Sequence, residues 1–212
     1  MRLYPNIWSK FVKESHTLCL EEGVLEDWHK GRAAYALWIL RIESDTTVSA
    51  LRSLQKPLAK WIDPVKEFHI TLWVSGFLNS SLQYNDDVLV DDLNTAAEKV
   101  AVGPQPSVKI GHINSFQTSV FVEVEDHKGH INAIREQLNT HKEIRFGPFV
   151  PHITLGNYTD MHNTSLIQTQ IERLPPLIEE LHFNSVEWVE FSPAGCRKTL
   201  RCIKRIHRSI SA

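Results

Sequence analysis

His69-Ile70-Thr71-Leu72 recurs, letter for letter, as His152-Ile153-Thr154-Leu155. In a β-strand, residues i and i+2 share one face while i+1 and i+3 share the other. His69 and Thr71 are therefore expected on one face of a strand, with Ile70 and Leu72 anchored in a core. His152 and Thr154 repeat that arrangement. A pseudo-twofold relation between the two copies would turn both polar faces toward one cleft and present two imidazoles and two hydroxyls to a single ligand.

The chain around the two copies reads coarsely as the same pattern twice, strand, helix, strand, helix. The aromatic and β-branched run over 35–42 predicts a buried strand. Ser44-Asp45-Thr46 offers a helix cap, the apolar spacing over 48–62 predicts a helix, and Asp63-Pro64 ends it. The first tetrapeptide lies in a predicted strand over 68–74, and a helix over 88–102 is stopped by Gly103-Pro104. Paired strands over 108–113 and 119–124 precede a helix over 130–141. The second tetrapeptide lies in a strand over 150–155, and after a loop rich in Asn, Asp and Thr the chain ends in strands over 182–191 and 199–206. The fold class is α+β and bilobal, with two pseudo-symmetric antiparallel β-sheets flanked by helices around a central cleft. Residues 1–33 read as an N-terminal helical extension, with a helix over 6–22 behind Pro5, and 34–212 as the two-lobed domain.

Composition narrows the function. The 212 residues are 42% hydrophobic, enough for a sizeable core. Lys plus Arg number 23 against 25 Asp plus Glu, a formal net charge of −2. A long nucleic-acid footprint draws its affinity from many phosphate contacts and usually shows as a basic surplus, so the balance argues against one and leaves room for a short or cyclic phosphate ligand. Cys19, Cys196 and Cys202 are an odd count without a C-x-x-C pair, which argues for reduced thiols. No apolar stretch approaches the length of a membrane span, and the N-terminus lacks a secretory core, so the cytoplasm is the expected location.

Two imidazoles and two hydroxyls on one cleft match the needs of phosphodiester chemistry. One group must deprotonate the nucleophile while another, on the opposite side, protonates the leaving oxygen. Histidine serves both roles because its ordinary pKa, ~6.5, lies near working pH. Threonine hydroxyls can donate to the nonbridging oxygens. The sequence has no H-E-x-x-H, no H-x-H and no adjoining carboxylate cluster, so no metal and no cofactor is expected.

At these residues the chain resembles the two-histidine phosphoesterases, also called the LigT-like or 2',5'-RNA ligase superfamily. The resemblance spans about residues 34 to 206. Its most specific part is Phe149-Val150-Pro151-His152-Ile153-Thr154-Leu155-Gly156, where a proline precedes the histidine and a glycine ends the strand. The resemblance implies a V-shaped cleft between two antiparallel sheets, and metal-independent action on 2',3'-cyclic phosphates or 2',5'-phosphodiesters of nucleotides or short RNA. By motif position it implies His69 and His152 as acid and base, with Thr71 and Thr154 as phosphate ligands. An RNA 2',5' end ligase working through the same residues, and a nucleotide-binding module without turnover, are the alternatives.

Two aromatic residues join the candidate substrate site. Trp73 lies at i+4 from His69, so strand alternation puts it on the histidine's face, where it would stack on a base. Tyr158 follows the second motif near the expected cleft mouth. Arg197, Lys198, Arg201, Lys204, Arg205 and Arg208 form the densest basic run, read as a solvated edge strand or a ligand-facing rim.

Overall fold

A computed structural model describes residues 1–19, 27–145, 147–193 and 199–209. Cys196, Arg197 and Lys198 therefore lie outside the described residues. The elements run α1 (Pro5–Phe11), β1 (Tyr35–Arg41), α2 (Asp45–Gln55), a 3₁₀ turn (Lys56–Leu58), β2 (Ile62–Pro64), β3 (His69–Asn79), β4 (Asp87–Leu89) and α3 (Val90–Val100). They continue with β5 (Ser107–Ser115), β6 (Ser119–Glu125), α4 (His130–Leu138), β7 (His152–Tyr158), α5 (Thr164–Arg173), β8 (Glu179–His182), β9 (Ser185–Phe191) and β10 (Arg201–His207).

The helices start where local donors and acceptors can be met. Ser44 accepts from the Thr47 amide at 3.3 Å to open α2, and the Asp126 carboxylate accepts from the amides of Ile131 and Asn132 at the start of α4. Asn163 opens α5 by accepting from the Ser165 amide at 2.9 Å. The sequence reading passes over α5 as loop. Its polar start obscures Ile167 and Ile171, whose i, i+4 spacing places both in the core. Of the expected helix over 6–22, residues 20–22 lie outside the described residues, and among the described ones only the seven-residue α1 is helical.

The strands form one sheet in the order β10-β9-β1-β3-β7-β6-β5-β8, with β2 paired to β7 and β4 to β3. Among these strands only the β3–β4 pair is parallel. The two expected sheets are thus the two five-stranded halves, joined at a single pairing between β3 and β7, Ile70 with Ile153. Because the join is one residue pair wide, the halves diverge on either side of it as two lobes.

The two motifs share more than sequence. In β3, Trp73 pairs with Trp38 and Thr71 with Ile39, which leaves Leu72 as an extra residue, a β-bulge. In β7, Gly156 pairs with Val120 and Thr154 with Phe121, so Leu155 is the extra residue there. Both bulged carbonyls are claimed by a side chain from the opposite lobe's helix. Arg135 of α4 donates to the Leu72 carbonyl, and Gln55 of α2 donates to Leu155 at 2.7 Å and to Val65 at 2.9 Å. Each lobe therefore fixes the other's motif. Gly156, one step beyond the second bulge, is required by space, since a Cβ there would come within 2.7 Å of the Asp63 carbonyl on β2.

The N-terminal extension packs across the second lobe. Phe11 is buried in the main core and stacks on Tyr158, and the amides of Leu3 and Tyr4 donate to the buried Glu123 carboxylate on β6. Arg208 is also buried. It closes the C-terminus of α3 by donating to the carbonyls of Val100, Val102 and Pro104, and so is no part of a rim. The strand before it does form an exposed edge, where Arg201 pairs with Glu190 and Arg205 with Glu43 and Glu187.

Candidate active site

Both tetrapeptides show the same alternation, with His69, Thr71, His152 and Thr154 half-buried and Ile70, Leu72, Ile153 and Leu155 fully buried. Antiparallel pairing about Ile70 and Ile153 sets His69 alongside Thr154 and Thr71 alongside His152. The four polar side chains thus occupy one face at the junction of the lobes. The hydroxyls of Thr71 and Thr154 make no hydrogen bond among the described residues, so both are available to a ligand.

The two imidazoles are held differently. His152 Nδ1 lies 2.7 Å from the Val150 carbonyl, an acceptor only, so Nδ1 carries the hydrogen and Nε2 carries the lone pair of the neutral ring. His69 Nδ1 is buried beside the Glu67 carbonyl, the counterpart of Val150, without closing a hydrogen bond of regular geometry, which leaves Nε2 as the nitrogen available to a ligand. Burial lowers the pKa of both rings. For His69 the neighbouring charges of His152 and Arg41 add to burial and outweigh the Glu67 carbonyl, bringing it to about 4. For His152 the Val150 carbonyl opposes the burial.

The cross-strand partners of the two rings differ as well. Arg41 on β1 is the partner of His69, while Glu123 on β6 is the partner of His152. Equivalent positions in the two lobes carry opposite charges. Arg41 is held in place by ion pairs to Glu67 and, at 2.8 Å, to the buried Glu187. Glu123 is held by the Leu3 and Tyr4 amides and by Asn114 at 2.6 Å.

Trp73 and Tyr158 do not join the histidines. The bulge at Leu72 resets the alternation, so Trp73 returns to the core side at 6% exposure, paired with Trp38 and under the Arg135 guanidinium. Tyr158 is 3% exposed and spends its hydroxyl on Ser115 at 2.6 Å. The aromatic residues beside the site are instead Phe121 and Phe116, with ring centroids 5.1 and 5.2 Å from His152, both edge-on. The alternation of Phe121 and Glu123 against Val120, Val122 and Val124 is the signal that sets Phe121 on its face of β6. Phe116 sits in the turn between β5 and β6, where strand alternation carries no information.

Two cavities, of about 280 and 170 Å³, both border Arg41, yet neither is lined by His69 or His152. Among the described residues no three His, Cys, Asp or Glu gather at metal-binding distance, and no helix is long and apolar enough to cross a membrane.

The sequence from 41 to 187 matches the model of the 2'-5' RNA ligase superfamily, which is more than half of the chain. The chain belongs to that superfamily. Its fold agrees with solved structures. TT0787 of Thermus thermophilus superposes with a TM-score of 0.62 at 14% identity, covering 82% of this chain and 97% of that one. A protein described as a phosphoesterase gives 0.58 at 15% identity, covering 82% and 98%. E. coli LigT complexed with 3'-AMP gives 0.57 at 14% identity, covering 84% and 99%. No match was found among curated protein sequences. The superfamily match begins at Arg41, so the N-terminal extension and its contacts to Glu123 fall outside it.

Proposed function

We propose that this protein is a metal-independent phosphodiesterase acting on 2',3'-cyclic phosphate or 2',5'-phosphodiester bonds of nucleotides or short RNA. The observation that carries this reading is the pairing of Ile70 with Ile153, which brings the two His-x-Thr faces together. Superfamily membership supports phosphodiester chemistry. The 3'-AMP complex of E. coli LigT, on the same fold, supports a nucleotide as ligand.

In the opening of a cyclic phosphate, a water oxygen attacks phosphorus and the bond to one ribose oxygen breaks. His69 takes the proton from the water, because burial and Arg41 keep it neutral and ready to accept. His152 acts from its imidazolium form, with one hydrogen on Val150 through Nδ1 and the second on Nε2, and gives the Nε2 proton to the departing ribose oxygen. The first ring ends with one proton more and the second with one fewer, and exchange with solvent restores both. Thr71 and Thr154 donate to the nonbridging oxygens as charge accumulates there.

The test is hydrolysis, after EDTA treatment, of the four nucleoside 2',3'-cyclic monophosphates and of 2',5'- and 3',5'-linked dinucleotides. Turnover that survives chelation and is abolished by His152→Ala is the expected result. Turnover that persists in His152→Ala, or that chelation stops, overturns the mechanism.

A further inference from the structure

A nucleotide bound by its phosphate at the two histidines still needs a flat apolar surface for its base. One such surface adjoins the histidines. Phe116 lies on the fully buried Phe121, with ring centroids 4.4 Å apart and planes tilted by 27°. It is itself half-buried, so part of its ring stays open, and its centroid is 5.2 Å from that of His152. Phe121, seated opposite Thr154 on the neighbouring strand, fixes which side of the phosphate site this pair occupies.

The turn carrying Phe116 is secured from several directions. Its amide donates to the Ser119 carbonyl at 3.0 Å, and its carbonyl accepts from Ser115 Oγ at 2.7 Å. The N-terminal extension grips the next residue. The Gln117 carbonyl accepts from the Leu18 amide at 2.8 Å, and Gln117 Nε2 donates to the His16 carbonyl at 3.1 Å. A half-exposed phenylalanine in a turn with this many restraints is a preorganised surface, and ordering it on binding costs little.

We propose that Phe116 is the platform on which the base of a nucleotide substrate stacks, and that the N-terminal extension holds that platform beside His152. This rests on the phosphodiesterase reading and adds to it the residue that recognises the base of the substrate. Stacking on an aromatic face is tolerant of base identity, so all four bases are accepted with modest differences.

The experiment compares Phe116→Leu and Phe116→Tyr with wild type on two substrates, a nucleoside 2',3'-cyclic monophosphate and glycerol 1,2-cyclic phosphate, which has no base. Leucine keeps apolar volume against Phe121 but has no aromatic face, so folding is protected. The ratio of kcat/KM between nucleotide and base-free substrate is expected to fall roughly tenfold in Phe116→Leu, through KM, and to be restored in Phe116→Tyr. Equal losses on both substrates would mean that Phe116 only steadies the His152 ring, and an unchanged ratio would mean that the base lies elsewhere. Either outcome overturns the platform. Calorimetric binding of a nucleoside 2'-monophosphate against inorganic phosphate gives the same comparison without turnover. Selective loss of nucleotide affinity in Phe116→Leu supports the platform even where hydrolysis is absent, a result that removes the hydrolytic reading alone.

Discussion

In the first lobe the histidine of the shared tetrapeptide faces a cation, Arg41, and its Nδ1 lies beside the Glu67 carbonyl without closing a regular hydrogen bond. In the second lobe the same residue faces an anion, Glu123, and its Nδ1 is fixed on a backbone carbonyl. Sequence identity over four residues, reinforced by an identical bulge at the fourth, reproduces the placement and burial of the imidazoles, while Arg41 on the neighbouring strand lowers the proton affinity of His69 further. A pseudo-symmetric scaffold with unequal surroundings suits the proposed reaction, which needs one proton acceptor and one proton donor at the same pH.

Removing the histidines tests that division most severely. His69→Ala and His152→Ala are each expected to lower kcat by roughly a hundredfold to ten-thousandfold with little change in thermal stability. The residual activities should differ in kind. Loss of the base removes the acidic limb of the pH–rate profile, and loss of the acid removes the basic limb. If both variants lose the same limb, the two lobes are chemically interchangeable and the comparison fails.

The reciprocal clamps come next. Gln55 is buried, and truncating it to Ala leaves the Val65 and Leu155 carbonyls without their side-chain donor, at a cost of about 1–3 kcal/mol in a denaturant titration. Arg135→Ala, at the equivalent place for β3, also unpairs Glu143, to which it makes two hydrogen bonds of 2.9 and 2.7 Å. Both variants should slow turnover while leaving the remote ion pair of Arg32 with Asp86 undisturbed. A loss of stability without any loss of kcat would show that the bulges do not position the histidines.

Much of this was readable from residues 69–72 and 152–155. Period-two alternation gave the polar and apolar faces of both strands, because the first three residues of each motif are regular strand. The same rule misplaced Trp73, since a bulge at Leu72 is set by pairing with β1 and leaves no mark in the local pattern. It also offered Tyr158 to the cleft, whereas pairing with β2 and the hydroxyl of Ser115 draw that side chain inward. Arg41 and Glu123 lie far from the motifs in sequence, and only strand register makes them neighbours of the histidines. Phe116 lies in a turn, where no periodicity applies.

The charge difference itself can be tested by pH. His69 titrates at about 4 when folded, against an ordinary value of 6.5. Between those values the unfolded chain binds more protons, so His69 contributes stability that is whole above pH 6.5 and is lost as pH falls toward 4. Arg41→Gln removes the cation while Glu67, Glu187, Arg205 and Glu43 remain, so the pKa of His69 should rise and the acidic limb of the rate profile move to higher pH. Arg41→Lys, which keeps the charge, should restore much of the shift. An acidic limb that stays in place in Arg41→Gln would assign it to a group other than His69.

The smallest effect expected is that of Tyr158→Phe. Burial pushes the phenol above its usual pKa, so it stays neutral across the working range, and its hydroxyl meets only Ser115. Ser115 Oγ keeps two other acceptors within reach, the carbonyls of Phe116 at 2.7 Å and Ser119 at 3.2 Å, so it is not stranded when the phenol is lost. The cost should be that of one neutral hydrogen bond, about 0.5–1.5 kcal/mol by thermal denaturation, with KM unchanged. A raised KM with full stability would contradict the inward placement of Tyr158 and return the phenol to the substrate site. A raised KM for nucleotides alone, with stability reduced, would instead trace the effect through Ser115 to the Phe116 turn, and so tie the second lobe's core to base recognition.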